Sequence, residues 1–508
     1  MIAIVLAAIA AFAHAATAWR YGYFRDELYF IACSKHLAWG YVDQPPLVAA
    51  AAWLSAPADY QLLALRALPI IAAALTVYLA VRLTRELGGG AFAQILSGFA
   101  TLTLPAYLLL GNTLTTTSFE PIFWTLTLYQ CVRLVRANAS QATRWWLAIG
   151  AAAAVGAYAK YSIALLVAGI LVGFLSTPER RVLRSPSPLY ALGVATFILG
   201  PNLAWQAAHG WPIVDVLAGD VNHRHAFQNG LFLESFDVLR NAPAFIVEQF
   251  VYTNPVAAIV WIAGAAAPFR SARLRDLRFI TVAFAVVFLT AIALNAKGYY
   301  IAGFYATLLA VGAVAVERAA VAVRAMLFAA LAAVAVAAMP LSLPVLPIDA
   351  LVAYTKLLGL TGRNGSPAHL IQPVFAEQFG WERLTRDVAS VYFSLPAPVR
   401  ARTAIYADTY GDAGALDFFG SHYGLPAPIS SQNNYYLWGT RGYDGSTLLA
   451  IGATQIDRLR RFYRNVQLVR TSTEPYKWIV EGPAPIYLCT DPIAPLPVIW
   501  PALRWYGA

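Results

Sequence analysis

Asp26 and Glu27 stand side by side in Tyr23-Phe24-Arg25-Asp26-Glu27-Leu28-Tyr29, directly after a long apolar run, and Asp43 follows in Gly40-Tyr41-Val42-Asp43-Gln44-Pro45-Pro46-Leu47. Ionisable groups next to a membrane helix are costly and as a rule face a cavity or a charged partner. A carboxylate at that depth is sited to act as general base towards a hydroxyl acceptor, provided substrate comes within hydrogen-bond reach. The plain alternative is that Arg25 pairs with Asp26 and the loop only caps a helix bundle. Two cations recur in comparable positions, Lys160 in Tyr158-Ala159-Lys160-Tyr161-Ser162 and Lys297 in Asn295-Ala296-Lys297-Gly298-Tyr299-Tyr300. Each alone reads as a snorkelling anchor, but together with the acidic loop they could hold a phosphate, which lysine binds as a compact charge. Carboxylates for an acceptor and cations for a leaving group suit a lipid-phosphate substrate.

Weaker signals surround these. Gly111-Asn112-Thr113-Leu114-Thr115-Thr116-Thr117-Ser118-Phe119-Glu120-Pro121 is a polar loop that places Asn112 near the acids and Glu120 at a helix start. An acid there also complements the helix dipole. His223-Arg224-His225 has two histidines two apart in a long loop, which reads as solvated rather than as a metal site, and no residue is assigned as a metal ligand. The Pro201-Asn202 step and Trp205-Gln206 read as packing and loop entry. Cys33, Cys131 and Cys489 form neither a disulfide framework nor a metal-ligand pair and are expected in packed surroundings.

The elements that position these residues are read from composition. Of 508 residues 59% are hydrophobic and 12% charged, and the mean hydropathy is +0.58. Soluble domains carry about 25% charged residues, so lipid rather than water is the solvent for much of this surface. The net charge of +10 sits in short clusters between apolar runs, which fits membrane orientation better than a basic face for nucleic acid. Apolar runs near 1–19, 62–81, 91–110, 119–135, 145–158, 161–176, 188–206, 246–268, 279–296, 299–316 and 325–343 give about eleven transmembrane helices. One long tilted helix could replace the pair around Lys160. Basic clusters recur on alternate sides: Arg82 and Arg85; Arg133, Arg136 and Arg144; Arg180, Arg181 and Arg184; Arg270, Arg273, Arg275 and Arg278; Arg318 and Arg324. The positive-inside rule puts these loops and the N-terminus in the cytoplasm. The first run lacks a basic leader, so it is expected to remain as a helix rather than to be cleaved.

The opposite, extracytoplasmic side then receives outer loop 20–60, outer loop 207–245, and everything after about 345. Within the first loop, residues 27–38 are expected as a short amphipathic helix along the interface, ended by Pro45 and Pro46. From 345 to 508 apolar runs shorten and turn residues multiply, which indicates a small α/β domain outside a transmembrane domain of residues 1–344. Thr403–Ala407, Val466–Arg470, Trp478–Val480 and Ile486–Cys489 read as strands, and Thr447–Tyr463 reads as a helix.

The loop Phe24-Arg25-Asp26-Glu27-Leu28-Tyr29 with Asp43-Gln44-Pro45-Pro46-Leu47 resembles the GT-C glycosyltransferases of family 39, which include protein O-mannosyltransferases and lipid A aminoarabinose transferases. Gly111 to Pro121, Lys297-Gly298-Tyr299-Tyr300, Tyr410-Gly411-Asp412-Ala413-Gly414-Ala415 and Ser430 to Trp438 look like that family's bacterial branch. The resemblance implies a multi-pass enzyme of the bacterial inner membrane that takes a sugar from a polyprenyl-phosphate carrier and passes it to an extracytoplasmic glycan, lipid or protein acceptor. It further implies that Asp26 is the catalytic base and Glu27 the companion acid that positions loop or sugar. Arg25, Asp43, Gln44, Asn112, Glu120, Lys160, Lys297, Tyr299 and Tyr300 become the candidate substrate-binding set. Where aminoarabinose transferases read Glu-Lys-Pro-Pro this chain has Asp43-Gln44-Pro45-Pro46, leaving Lys160 and Lys297 to supply the missing charge. No cofactor is required by this chemistry, and the sequence leaves a divalent metal open. The competing readings are a polytopic transporter or lipid flippase, which would show internal repeats and midplane charges, and a non-catalytic assembly protein.

Overall fold

The computed structural model describes residues 1–223, 238–360, 367–452, 456–477 and 483–507. Helix covers each of the eleven apolar windows, but several windows are broken by local chemistry. The third splits into Ala91–Leu102 and Pro105–Leu110, because the residue before a proline is driven out of the α region. The eighth splits into Val238–Thr253 and Pro255–Arg270, with an angle of 106° between Ala242–Thr253 and Pro255–Arg270. Asn254 makes that corner: it adopts φ +65°, and its side chain accepts the Val256 N–H at the start of the second helix. Lys160 is extended between Ala139–Ala159 and Ile163–Leu175, so the chain there forms two helices, not one long one. Among the described residues five helices are long and apolar enough to cross a membrane, or seven if each strongly bent pair is one span.

These helices form one body around buried Trp124, Phe174, Phe279, Phe304 and Tyr305. Beyond Leu343 the chain builds a four-stranded sheet from β1 (Thr403–Ala407), β2 (Thr447–Ile451), β3 (Tyr463–Ser472) and β4 (Ala484–Pro492), in the order β1-β2-β4-β3. The first pair is parallel and the other two are antiparallel. The expected helix over Thr447–Tyr463 is a correction: its first five residues are β2, a short helix covers Ile456–Arg460, and Tyr463 already begins β3. The run Leu448-Leu449-Ala450-Ile451 is apolar without a period, and such runs are assigned by their partners rather than by pattern. With β1 on one side and β4 on the other, all five residues of β2 are buried. The strand expected at Trp478–Val480 lies outside the described residues, as do Arg224 and His225 of the histidine pair.

The amphipathic surface helix is also corrected. The helix Arg25–Ser34 has eight of its ten residues buried. It is covered by the helix Tyr410–Phe419, which follows β1, and the two backbones come together at Gly414, where a Cβ would stand 2.9 Å from the Leu28 carbonyl carbon. Pro45 and Pro46 do end that loop, and Leu47–Leu54 starts the next helix.

Candidate active site

Glu27 is the hub of the first loop. Arg66 donates Nε to its Oε1 and Nη2 to its Oε2, both at 2.8 Å, and neither side chain is exposed. The backbone N–H groups of Phe24 and Leu114 donate to the same carboxylate at 2.8 Å each. Arg66 completes its own set on the carbonyls of Ala18 and Gly22 at 2.6 and 2.7 Å. A buried ion pair is tolerated only when its remaining donors and acceptors are satisfied in this way. Glu27 therefore locks the helix start to the 111–121 loop and the helix beginning at Ala67, and it has no surface left for a substrate.

Asp26, one residue earlier, keeps a quarter of its side chain exposed. Arg25 Nε donates to its Oδ1 at 3.2 Å, and the Tyr410 hydroxyl donates to the same oxygen at 2.8 Å. Among the described residues Oδ2 receives no donor. Burial, with the Asp26 charge adding to it, raises the Tyr410 phenol well above its ordinary range, so this hydroxyl stays protonated and acts as the donor. Arg25 lies over the Tyr410 ring at 5.2 Å and faces Glu377 at 3.5 Å. Behind Tyr410, Asp412 and Lys477 form a buried pair at 3.6 Å, with the ammonium 4.5 Å from the Trp381 ring centroid. The C-terminal part of the chain thus supplies one of the two groups that hold Asp26.

Lys160 occupies the extended break between its two helices. Its ammonium donates to Thr117 Oγ1 at 2.9 Å and to Glu120 Oε2 at 3.3 Å, and it lies 4.1 Å from the Tyr300 ring centroid. Ser162 holds the other Glu120 oxygen. An ammonium has three donors, so one remains after Thr117 and Glu120. Tyr299 packs edge-on against Tyr300 at 5.0 Å, and the charges of both Asp26 and Glu120 reach it. Glu120, Lys160, Tyr299 and Tyr300 thus form one cluster.

The other expected residues divide. Asp43 accepts from the Tyr29 hydroxyl at 2.9 Å, and Val42 N–H donates to Asn434 Oδ1 at 2.7 Å, which pins this loop to the C-terminal part. Burial pushes the Asp43 carboxyl up to about 7, against the pull of the Tyr29 hydrogen bond. Gln44 is buried and turns its amide to Cys33 Sγ at 3.7 Å, a packing contact rather than a surface for substrate. Asn112 is buried too and accepts from Thr17, so it ties the loop to the first helix. Lys297 is exposed at the start of the turn Gly298–Phe304; its carbonyl accepts the Tyr300 N–H at 3.0 Å, and its ammonium has no hydrogen bond or ion pair to another described residue. Asn202 and Gln206 donate to the carbonyls of Trp39 and Tyr41 at 2.8 and 3.1 Å, which makes them supports of the first loop. Arg66, Tyr410, Tyr29 and Asn434 were not singled out from sequence as site residues. Only an arginine isolated in an apolar run signalled Arg66.

The family model described as dolichyl-phosphate-mannose-protein mannosyltransferase matches residues 43–205, a region that contains Asp43, Glu120 and Lys160 but begins after Asp26. A search of curated proteins finds no match. Among solved structures the chain is similar to ArnT from Cupriavidus metallidurans in the apo state, with 14% identity, a TM-score of 0.59, and coverage of 96% of this chain and 97% of that one. It is similar as well to the same protein bound to undecaprenyl phosphate, with 13% identity, a TM-score of 0.62 and the same coverage, 96% and 97%. The chain therefore shares the fold of ArnT over nearly its whole length, and over residues 43–205 it matches the mannosyltransferase family model.

Proposed function

We propose that this chain is a membrane glycosyltransferase that takes a sugar from a polyprenyl-phosphate donor and transfers it to an extracytoplasmic hydroxyl acceptor. The observation that carries the reading is the Asp26 carboxylate, oriented through Oδ1 by Arg25 and Tyr410, with Oδ2 free of donors among the described residues. The undecaprenyl phosphate in the similar structure supports a carrier of this class.

In this mechanism an acceptor hydroxyl meets Oδ2 of Asp26, and its oxygen attacks the anomeric carbon as its proton passes to the carboxylate. The bond from that carbon to the phosphate oxygen breaks, and polyprenyl phosphate leaves with the electron pair. A single displacement inverts the anomeric configuration. The leaving group is already an anion, so fixed cations stabilise it without a strong general acid. Lys160 supplies its remaining donor, Arg25 lies next to the same carboxylate, and Lys297 stands at the neighbouring turn.

The test measures sugar release from a panel of radiolabelled polyprenyl-phosphate sugars, comparing wild type with Asp26→Asn. Turnover of one donor by wild type alone is the expected result. Equal turnover by folded Asp26→Asn removes Asp26 as the base. Silence of wild type across the panel, with an acceptor-rich membrane extract present, removes the glycosyltransferase reading and returns the transporter.

A further inference from the structure

The end of the bundle away from Asp26 carries a second feature, independent of the transfer reaction. The helices Pro255–Arg270 and Tyr305–Val316 meet backbone to backbone at Gly264 and Gly312, where a Cβ on either would fall on a carbonyl of the other helix. Past that crossing they diverge around a cavity of about 190 Å³. Alanines and other apolar side chains line it together with Arg270, Ser271, Arg273 and Arg318, with no acidic residue in the lining. Three acids at this end are engaged elsewhere: Glu86 with Arg133 at 2.9 Å, Asp276 with Arg136 at 2.7 Å, and Glu317 with the Gly90 N–H at 2.9 Å. Arg273 donates to the Gly88 carbonyl at 2.8 Å, while Arg270 and Arg318 make no ion pair among the described residues.

Three exposed guanidinium groups line one small cavity and are available to a single anion placed between them. Guanidinium donors match phosphate oxygens in geometry as well as charge. The surroundings indicate the source of that phosphate. On the helix Pro255–Arg270 the positions Ile259, Ala263, Ala266 and Arg270 follow the 3–4 residue spacing of a single face. Ile259 and Ile262 are 57% and 44% exposed, so an apolar stripe runs from the arginine rim along the side of the bundle. We propose that this cavity binds the phosphate headgroup of an anionic phospholipid, with an acyl chain lying along Ile259 and Ile262. Basic pockets between membrane helices are recognised sites for such headgroups.

The test titrates the purified full-length protein, in neutral detergent, with fluorescent phosphatidylglycerol and, separately, with phosphatidylcholine. Wild type is expected to bind phosphatidylglycerol in preference. The double variant Arg270→Gln/Arg318→Gln is expected to bind it about thirtyfold more weakly, at roughly fivefold per arginine near a membrane surface. Should the double variant not fold, Arg318→Gln alone is expected to lose about fivefold. Unchanged affinity in a folded variant, or equal binding of both lipids by wild type, overturns the site. Displacement of phosphatidylglycerol by millimolar inorganic phosphate overturns the lipid assignment in favour of a soluble anion. Sugar release in detergent is expected to be the same in wild type and variant, so loss of this site and loss of the proposed transferase activity read out separately.

Discussion

Replacing Glu27 with Gln is expected to destabilise the protein while leaving its shape at that position nearly intact. Wild-type Glu27 accepts four hydrogen bonds, two from Arg66 and one each from the Phe24 and Leu114 N–H groups. Glutamine keeps one oxygen and turns an NH2 group towards donors that previously met a carboxylate. Arg66, which has no exposed surface, then keeps its charge without a counterion. Removing one partner of a buried pair costs about 3–5 kcal/mol, whereas replacing both by apolar groups of similar volume is often near neutral. Thermal unfolding in detergent should therefore show a clear loss for Glu27→Gln and a partial recovery for Glu27→Met/Arg66→Met. Turnover should fall in both, because Asp26 is oriented by the helix start that Glu27 anchors. A Glu27→Gln protein within about 1 kcal/mol of wild type, well below the loss expected for a broken buried pair, would refute the view that this acid is the structural anchor.

Three further outcomes follow from the same geometry. Tyr410→Phe removes the hydroxyl that holds Asp26 Oδ1 but keeps the ring beneath Arg25, and one hydrogen bond to a charged group is worth about 1.5–3 kcal/mol. Turnover should drop about tenfold or more with carrier-phosphate affinity unchanged, and the change should add nothing in an Asp26→Asn background; an additive loss would mean Tyr410 acts elsewhere. Lys160→Met should weaken polyprenyl-phosphate binding measured directly, and unchanged affinity would remove Lys160 from the phosphate site. Asp43 has a carboxyl raised to about 7 by burial, so the folded state holds its proton above the pH at which the unfolded chain, near 3.9, has lost it. Its contribution to stability is fully present below about pH 4 and is lost as pH rises through about 7. Asp43→Asn should accordingly flatten the fall in thermal stability between pH 4 and 8, and a parallel fall in wild type and variant would place the titration on another group.

Much of the architecture was legible because membrane solvent imposes simple rules. A run of about twenty apolar residues must become helix in lipid, and helix lies over every window so identified. The Pro45-Pro46 boundary and the acids leading into Arg25–Ser34 were equally local, since proline and helix-end electrostatics act within a few residues. Strands β1, β3 and β4 showed through β-branched and aromatic residues between turns.

Local chemistry did not decide which elements meet. Thr447–Ile451 looked helical until β1 and β4 were placed on either side of it. The helix Arg25–Ser34 looked like an interfacial helix because nothing in its sequence names the distant helix Tyr410–Phe419 that covers it. The different fates of Asp26 and Glu27 are the clearest case. Adjacent residues of the same chemistry were indistinguishable in sequence, yet helical geometry turns their side chains about 100° apart. One faces Arg66 with both oxygens satisfied, and the other faces Arg25 and Tyr410 with a quarter of its side chain exposed. Composition and spacing determined that this chain spans a membrane and bears acids and cations next to it. Only the tertiary structure decided which acid is buried as an anchor and which is left open for chemistry, because that depends on partners distant along the chain: Arg66 and Leu114 for Glu27, and Tyr410, 384 residues away, for Asp26.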